Sequence, residues 1–384
     1  MAGEIGSVAA SEWDACAGYR NPFVSHAFLK ALEESGSASA EEGWMPQHLV
    51  LEDPSGRVVG AMPMYVKSHS QGEYVFDHGW ANALERAGGR YYPKLQVSVP
   101  FTPATGPRLL VRPDVDFDET ARMLLQGGIE VATRYRVSSL HITFLTGREA
   151  ELARGMGLLY RTGEQFHWIN RDYADFDAFL EDLSSRKRKA IRKERREALE
   201  GGIEVDCLTG SDIGEHHWDA FFRFYMDTGS RKWGRPYLNR RFFSLLGERM
   251  GEKVLLVLAR REGRYIAGAL NLIGTETLFG RYWGCVEDHR FLHFELCYYQ
   301  AIDWAIAHGL ARVEAGAQGP HKLARGYLPV TTHSVHWIAD AGFRRAVADY
   351  LEHERREVEQ EIAYLDRHSP FRKAGPHVPD EDAI

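Results

Sequence analysis

The chain has 384 residues, 44% of them hydrophobic, which is enough for two ordinary domains with full cores. Its 47 basic and 54 acidic side chains leave a net charge of −7, so any contact with a polyanion has to come from a local patch. Four scattered cysteines without a CxxC pair suit a reduced compartment, and neither a signal peptide nor a run of the ~20 apolar residues that spans a bilayer is present, so a soluble, cytoplasmic protein is expected.

In chain order, HLVLEDPSGRVVGAMPMYVKSHSQGEYVFDHGWA, from His48, reads as a strand, a turn at Pro54–Gly56, a second strand and a third. A helix over about 118–135 and a strand Ser139–Phe144 follow. The stretch VLLVLARREGRYIAGALNLIGTETLFGRYWGC, from Val254, reads the same way. Gly56-Arg57 matches Gly263-Arg264, Gly60-Ala61 matches Gly268-Ala269, and Gly79-Trp80 matches Trp283-Gly284 at the end of each third strand. A helix over about 293–308 and a strand from Arg312 to Ala315 complete the second copy. Antiparallel strands, a helix and a further strand used twice predict an α+β fold with a duplicated unit.

Between the copies, FDAFLEDLSSRKRKAIRKERREALEGG predicts a helix capped at Ser184 or Ser185 and ended by Gly201-Gly202. It carries Arg186, Lys187, Arg188, Lys189, Arg192, Lys193, Arg195 and Arg196, offset only by Glu194. Its apolar stripe (Leu183, Ala190, Ile191, Ala198) is thin, so most of those cations face water or a phosphate-rich ligand. Helices over about 215–228 and 239–250 precede the second sheet. A C-terminal helix presents Val347, Leu351, Val358, Ile362 and Leu365 on one side. The Pro- and charge-rich tail after Ser369 is expected to be disordered.

The most informative stretch is FELCYYQAIDWAIAHGLARVEAGAQGPHKLARG, Phe294–Gly326. Glu295, Tyr299, Ile302 and Ile306 share one helical stripe, which puts a carboxylate on an inward face near the positive end of the helix. Such a group needs a partner or a job. The Gly-rich loop beyond supplies His321, Lys322 and Arg325. Metal binding is not expected: His289 and His293 lack the HExxH arrangement and a third ligand.

The pieces FDHGWANALERAGGRYYPKLQVSVPFTPATGPRLL, SRKRKAIRKERREALEGGIEV and HFELCYYQAIDWAIAHGLARVEAGAQGPHKLARGYLPV resemble the FemAB-like family of the GNAT acyltransferase superfamily, over roughly residues 10–370. The resemblance implies two tandem GNAT-like domains, each a mixed, mostly antiparallel sheet flanked by helices: 1–170, then 171–368 with the basic helix and the C-terminal helix. It also implies aminoacyl transfer from aminoacyl-tRNA to an amine, as in Fem relatives acting on peptidoglycan precursors. Acetyl-CoA-dependent members use a Gly-rich loop for the pyrophosphate. The equivalent GCVEDHRFLHFE carries Glu287 and Asp288 instead, so no cofactor is expected and CoA is the alternative donor.

Acyl transfer needs alignment of the nucleophile, a proton acceptor and an oxyanion donor. Glu295 is the candidate base or structural ion-pair member, Lys322 the oxyanion or phosphate stabiliser, and His321 a proton shuttle. Arg325, Tyr299 and Gln318 are expected to bind substrate in the second domain. So are Arg281, Tyr282 and Trp283 at the end of its third strand. Asp77, His78, Trp80, Tyr92, Lys94 and Arg108 are expected to wall the site from the first domain. The eight cations of the basic helix are expected to hold phosphates of the tRNA donor. A second class of function is a non-catalytic GNAT-like pair that binds RNA or a cell-wall precursor. The acceptor and the oligomeric state stay open.

Overall fold

The structure is a computed structural model that describes residues 1–232, 236–316 and 319–372. Contacts divide the chain into two compact units. Among the described residues, the first comprises Met1–Gly163 and Thr331–Glu361; the second comprises Glu164–Val330 and the chain from Ile362. The sequence places a single boundary near 170, whereas the chain enters the second unit within one strand and returns to the first within another.

In the first unit, α1 (Ala10–Ala17) and α2 (His26–Glu34) precede β1 (Trp44–Pro46), β2 (Leu49–Glu52), β3 (Val58–Met62) and β4 (Met64–Lys67). Next come α3 (His78–Arg86), β5 (Lys94–Val97), β6 (Leu110–Val111), α4 (Phe117–Tyr135), β7 (Ser139–Leu145) and α5 (Gly147–Gly155). α4 starts where Asp116 accepts the Glu119 N–H at 2.8 Å, and it buries Ala121, Leu124, Leu125, Gly128 and Ala132 at helical spacing. β4 pairs antiparallel with β1 and β5, and β5 runs parallel to β7. The hairpin β2–β3 forms a separate three-stranded sheet with β6. Met62, Leu95, Val97, Leu124, Leu140 and Ile142 are at the centre of the core.

β8 (Leu159–Ile169) leads into the second unit, followed by α6 (Phe176–Asp182), α7 (Ser185–Ala198), β9 (Ile203–Leu208), α8 (Glu215–Lys232) and α9 (Arg240–Met250). β10 (Val254–Arg261), β11 (Arg264–Ile273) and β12 (Thr277–Cys285) form an antiparallel meander, with β9 against β10. α10 (Leu292–Phe294), a π turn over Glu295–Tyr299 and α11 (Gln300–Ala307) form the crossover to β13 (Arg312–Glu314). A helical crossover of this length allows β13 to lie parallel to β12. β14 (Leu328–Ile338) carries the chain back, and its later part pairs antiparallel with β7. α12 (Ala341–Arg367) ends the described chain.

Both units are thus mixed, mostly antiparallel sheets flanked by helices, and the expected helices and strands of the second copy are all present. The first copy departs from the expectation. Ser68–Asp77 is a loop, and Gly79-Trp80 falls in the first turn of α3, not at a strand end. Glu73 and Asp77 turn their carboxylates inward onto Lys94, and Tyr74 takes φ +61°, outside the extended region, so the segment bends away from a ladder. Ala190, expected on the apolar stripe of α7, is exposed. In α12, Val347 and Leu351 are buried in the first unit and Leu365 in the second, with Val358 and Ile362 half-buried. Phe371, in the expected disordered tail, forms a bridge with Leu183; the tail from 373 lies outside the described residues.

Candidate functional site

The site is built in the second unit from α7, the π turn and the loop between β13 and β14. The inward face of α7 is Ile191, Glu194, Arg195 and Ala198, spaced three, one and three. Two of those four positions are charged, so the helix drives an acid and a base into the protein side by side. Arg195 donates from Nη2 to Glu295 Oε1 at 2.9 Å and from Nε to Oε2 at 3.1 Å, and it reaches Asp303 Oδ2 at 2.6 Å. Its guanidinium lies 4.3 Å over the Phe176 ring. Burial disfavours the Arg195 charge, but the neighbouring Glu295 and Asp303 outweigh that and push its pKa up. Gln300 adds a 2.8 Å bond from Nε2 to Glu295 Oε1.

Glu295 itself has no exposed surface. Of the two roles open to it in the sequence, ion-pair member and general base, the geometry supplies the first. Its partner is Arg195, not Lys322 or Arg325. Arg195 therefore does not belong with the outward cations of its helix, because its donors are taken by two carboxylates.

Glu194 points to the other side of the same turn. It accepts two bonds from Arg325 Nη2, at 2.9 and 3.0 Å, and one from the Tyr299 hydroxyl. Arg325 Nη1 donates to the main-chain oxygen of His321 at 2.7 Å, and its guanidinium stacks 3.4 Å over Phe294. Because Glu295 and Tyr299 are the two ends of the π turn, consecutive residues of α7 hold both ends of it. The turn widens the helix by one residue, marked by the Gln300 N–H bonding Glu295 O.

Lys322 is 3% exposed and lies in a 3₁₀ turn over Pro320–Arg325. Its Nζ donates to the main-chain oxygens of Ala315, at 2.7 Å, and Gly316, at 2.8 Å. Desolvation pulls the ammonium down to about 8, opposed in part by the neighbouring Cys297. No contact joins Lys322 to Glu295 among the described residues; each has its own partners. His321 is exposed, and its Nε2 is 3.0 Å from the Tyr298 hydroxyl. Arg281, Tyr282 and Trp283 are half-buried on β12, with Trp283 edge-on to His293 at 5.1 Å. Gln318 lies outside the described residues.

The first-unit residues take other places. Lys94 is fully buried and donates to Ser70 Oγ at 2.8 Å, Glu73 Oε2 at 2.7 Å and Asp77 Oδ2 at 2.5 Å. Tyr91 donates to the same Asp77 oxygen at 2.6 Å. Burial opposes the Asp77 charge, yet Lys94 and its neighbours overcome that and depress the carboxyl. Lys67, at 3.7 Å over the Trp44 ring and 3.8 Å from Glu73, is pulled down to about 7 by burial, while burial lifts Glu73 to about 7.

Beside this cluster, His141 Nδ1 and His336 Nδ1 are 2.7 Å apart. Ser138 donates to Tyr91 O and so receives the Ser139 proton. His141 must then donate from Nε2 to Ser139 Oγ, at 2.7 Å, and accept at Nδ1 from His336. Desolvation keeps both rings neutral, with His141 near 3.

Asp77, Lys94 and Trp80, expected to face a substrate, are instead interior. Arg108, expected to meet a ligand, is 1% exposed and donates to the main-chain oxygens of Ala104, Gly106, Pro107 and Thr143. Tyr92 is half-buried with its hydroxyl 2.8 Å from Ser70, and His78 is exposed beside Phe76.

On the outer side of α7, Arg186, Lys189, Arg192, Lys193 and Arg196 are exposed, while Lys187 and Arg188 are half-buried. Arg192 pairs with Asp177 and Lys193 with Glu197. Sequence reasoning passed over Glu194, Glu73, Tyr91, His141 and His336. For Glu194 a signal existed, since it lies three residues after Ile191 on the buried stripe.

Among known proteins, the model of the FemAB-like family, described as peptidoglycan biosynthesis/recognition, matches residues 4–373. No curated protein sequence matches the chain. The crystal structure of FemX is similar with 13% identity and a TM-score of 0.56, over 89% of this chain and 98% of that one. The C-terminal domain of a putative lysylphosphatidylglycerol synthetase from Agrobacterium fabrum follows at 10% identity and a TM-score of 0.55, over 89% and 95%. L-PGS from Bacillus licheniformis is similar at 10% identity and a TM-score of 0.50, over 87% and 98%.

Proposed function

Because the chain belongs to the FemAB-like family, a family of acyl- and aminoacyl-transferring enzymes, we propose that it transfers an aminoacyl group from aminoacyl-tRNA to an amine acceptor, with its chemistry in the second unit. The acceptor class is an amino-bearing peptide or cell-wall precursor. The observation that carries the reading is Lys322. It is a buried ammonium fixed by two carbonyls, and its third N–H has no partner among the described residues.

A pre-oriented donor of this kind stabilises the oxyanion formed when the amine nitrogen bonds to the ester carbonyl carbon. As the intermediate collapses, the ester oxygen leaves and takes up a proton, and the amine loses one. His321, next to Lys322 and exposed, is the imidazole suited to carry it. Glu295 serves as an anchor of the π turn. The outward cations of α7 bind the phosphates of the donor. No helix among the described residues is long and apolar enough to cross a membrane. The reading is of a protein that works in the cytoplasm.

The test offers the protein labelled aminoacyl-tRNA and, separately, labelled acetyl-CoA, each with a panel of amine acceptors. Transfer from aminoacyl-tRNA is expected, with Lys322→Met lowering kcat by about 100-fold or more in a protein that melts no lower than the wild type. Transfer from acetyl-CoA alone would replace this reading with a CoA-dependent N-acyltransferase. Consumption of neither donor, with tRNA binding that weakens steeply in salt, would make the protein a binding module.

A further inference from the structure

The proposed reaction needs Lys322 in one place, so the contacts that fix the loop carrying it bear on the chemistry. From the contacts around that loop we infer that Glu194, on the basic helix, is the positioning residue that holds the Lys322 loop against the π turn. The inference rests on the reading of Lys322 given above. It assigns the basic helix a second task besides facing phosphate.

Three observations carry it. Glu194 is shared by both elements: it accepts the Tyr299 hydroxyl from the π turn and the Arg325 guanidinium from the loop. Arg325 then ties the loop to itself, because Nη1 bonds the His321 main-chain oxygen, so a rigid ring spans residues 321–325 with Lys322 inside it. That ring is backed by Phe294, against which the Arg325 guanidinium lies flat at 3.4 Å. The whole arrangement is shielded, with Arg325 7% exposed and the Glu194 side chain at 17%.

The neighbouring Arg195 fixes the other end of the turn through Glu295 and Asp303. α7 cannot shift along or around its axis without breaking one set of bonds or the other. Its outer face and the Lys322 loop are therefore parts of a single mechanical unit. A phosphate-bearing donor on the outer face docks against the element that sets the reactive loop.

A Gln at position 194 keeps the size and one acceptor oxygen but loses the charge that makes the Arg325 and Tyr299 bonds strong. Arg325 is then held weakly at position 194 and otherwise by the His321 carbonyl and Phe294, and the loop keeps the His321–Tyr298 contact as its remaining side-chain hydrogen bond to the turn. Lys322 leaves its carbonyl pocket part of the time and meets water.

The test reads Lys322 directly and needs no substrate. Wild type, Glu194→Gln and, as a second route to the same break, Arg325→Lys are labelled competitively with a small acylating reagent between pH 6 and 11. The extent at Lys322 is measured by mass spectrometry, with melting curves as the fold control. In the wild type, reactivity should rise with a midpoint near 8, the value burial sets. In either folded variant the midpoint should move up by at least one unit, toward that of a hydrated lysine, and the limiting labelling rate should rise about tenfold.

An unchanged midpoint and rate in a folded variant overturns the inference, whatever the transfer assay gives. If the wild type transfers, the same variants should lose kcat by about 10- to 100-fold with KM for the donor kept within about twofold. A rise in KM alone would make Glu194 a docking residue and also overturn the inference. A wild type that transfers nothing, while its midpoint moves on substitution, would fail the functional reading and leave the positioning role standing.

Discussion

Replacing Arg195 with methionine separates a structural Glu295 from a catalytic one. In the wild type the carboxylate has no exposed surface and is compensated by a two-nitrogen contact from Arg195 and one bond from Gln300. Methionine fills most of the same volume but leaves the buried charge with a single neutral donor. Removing one partner of a buried pair costs about 3–5 kcal/mol. The loss of the Phe176 stack and of the Asp303 bond adds to this, while the Gln300 bond moderates it. At roughly 2–4 °C per kcal/mol for a unit of this size, the melting temperature should fall by about 6–20 °C.

Urea denaturation of wild type, Arg195→Met, Glu295→Met and the double variant gives the coupling between the two side chains. The double variant should be more stable than Arg195→Met alone, since the stranded charge is gone. A loss below about 1 kcal/mol in Arg195→Met would mean that Arg195 does not hold Glu295. A Glu295→Gln protein of unchanged stability and abolished transfer would return Glu295 to the role of base.

Two other outcomes follow from buried lysines. Burial takes Lys322 from its ordinary 10.5 to about 8, so the unfolded chain binds the proton more tightly than the folded one. The corresponding penalty, about 3 kcal/mol, is fully present below pH 8 and is relieved as pH rises toward 10.5. Wild-type stability measured at pH 7.5 and 9.5 should therefore rise relative to Lys322→Met, and parallel curves for the two proteins would refute this. Lys94→Met strips Asp77 of its buried lysine partner, leaves Glu73 with only Lys67 at 3.8 Å, and should cost about 3–5 kcal/mol at neutral pH. Part of that should return in mild acid as the stranded carboxyls take protons, and a variant equally unstable from pH 5 to 8 would contradict it.

The hydrophobic and turn patterns of the second copy were enough to read its meander, its crossover and its α+β class. Those elements are fixed by local alternation and by Gly turns, which a single sequence displays. The first copy was misread at Ser68–Trp80 because the decisive interactions there join Glu73 and Asp77 to Lys94, about twenty residues on. No local pattern announces such a pairing. The same holds for His141 and His336, 195 residues apart. Glu295 was legible as an inward carboxylate from its stripe, but its partner was not. Arg195 looked like one more member of a solvated run, and only the buried positions Ile191 and Ala198 on either side mark it as inward.

Lys94 and Lys322 are both buried lysines, and their surroundings set them to different tasks. Lys94 has three side-chain acceptors, two of them carboxylates, so its three donors are all taken; burial opposes its charge, but those carboxylates outweigh it and its pKa is pushed up. It is a fixed strut, and the carboxylates around it are equally occupied. Lys322 has only two main-chain oxygens, and its charge is correspondingly weaker held. An ammonium near its balance point at neutral pH, with a donor to spare among the described residues, responds strongly to a negative charge developing beside it, which Lys94 has no donor left to do. That asymmetry, more than the count of polar groups in either unit, is why we propose the loop over Gly319–Gly326 as the seat of the transfer chemistry.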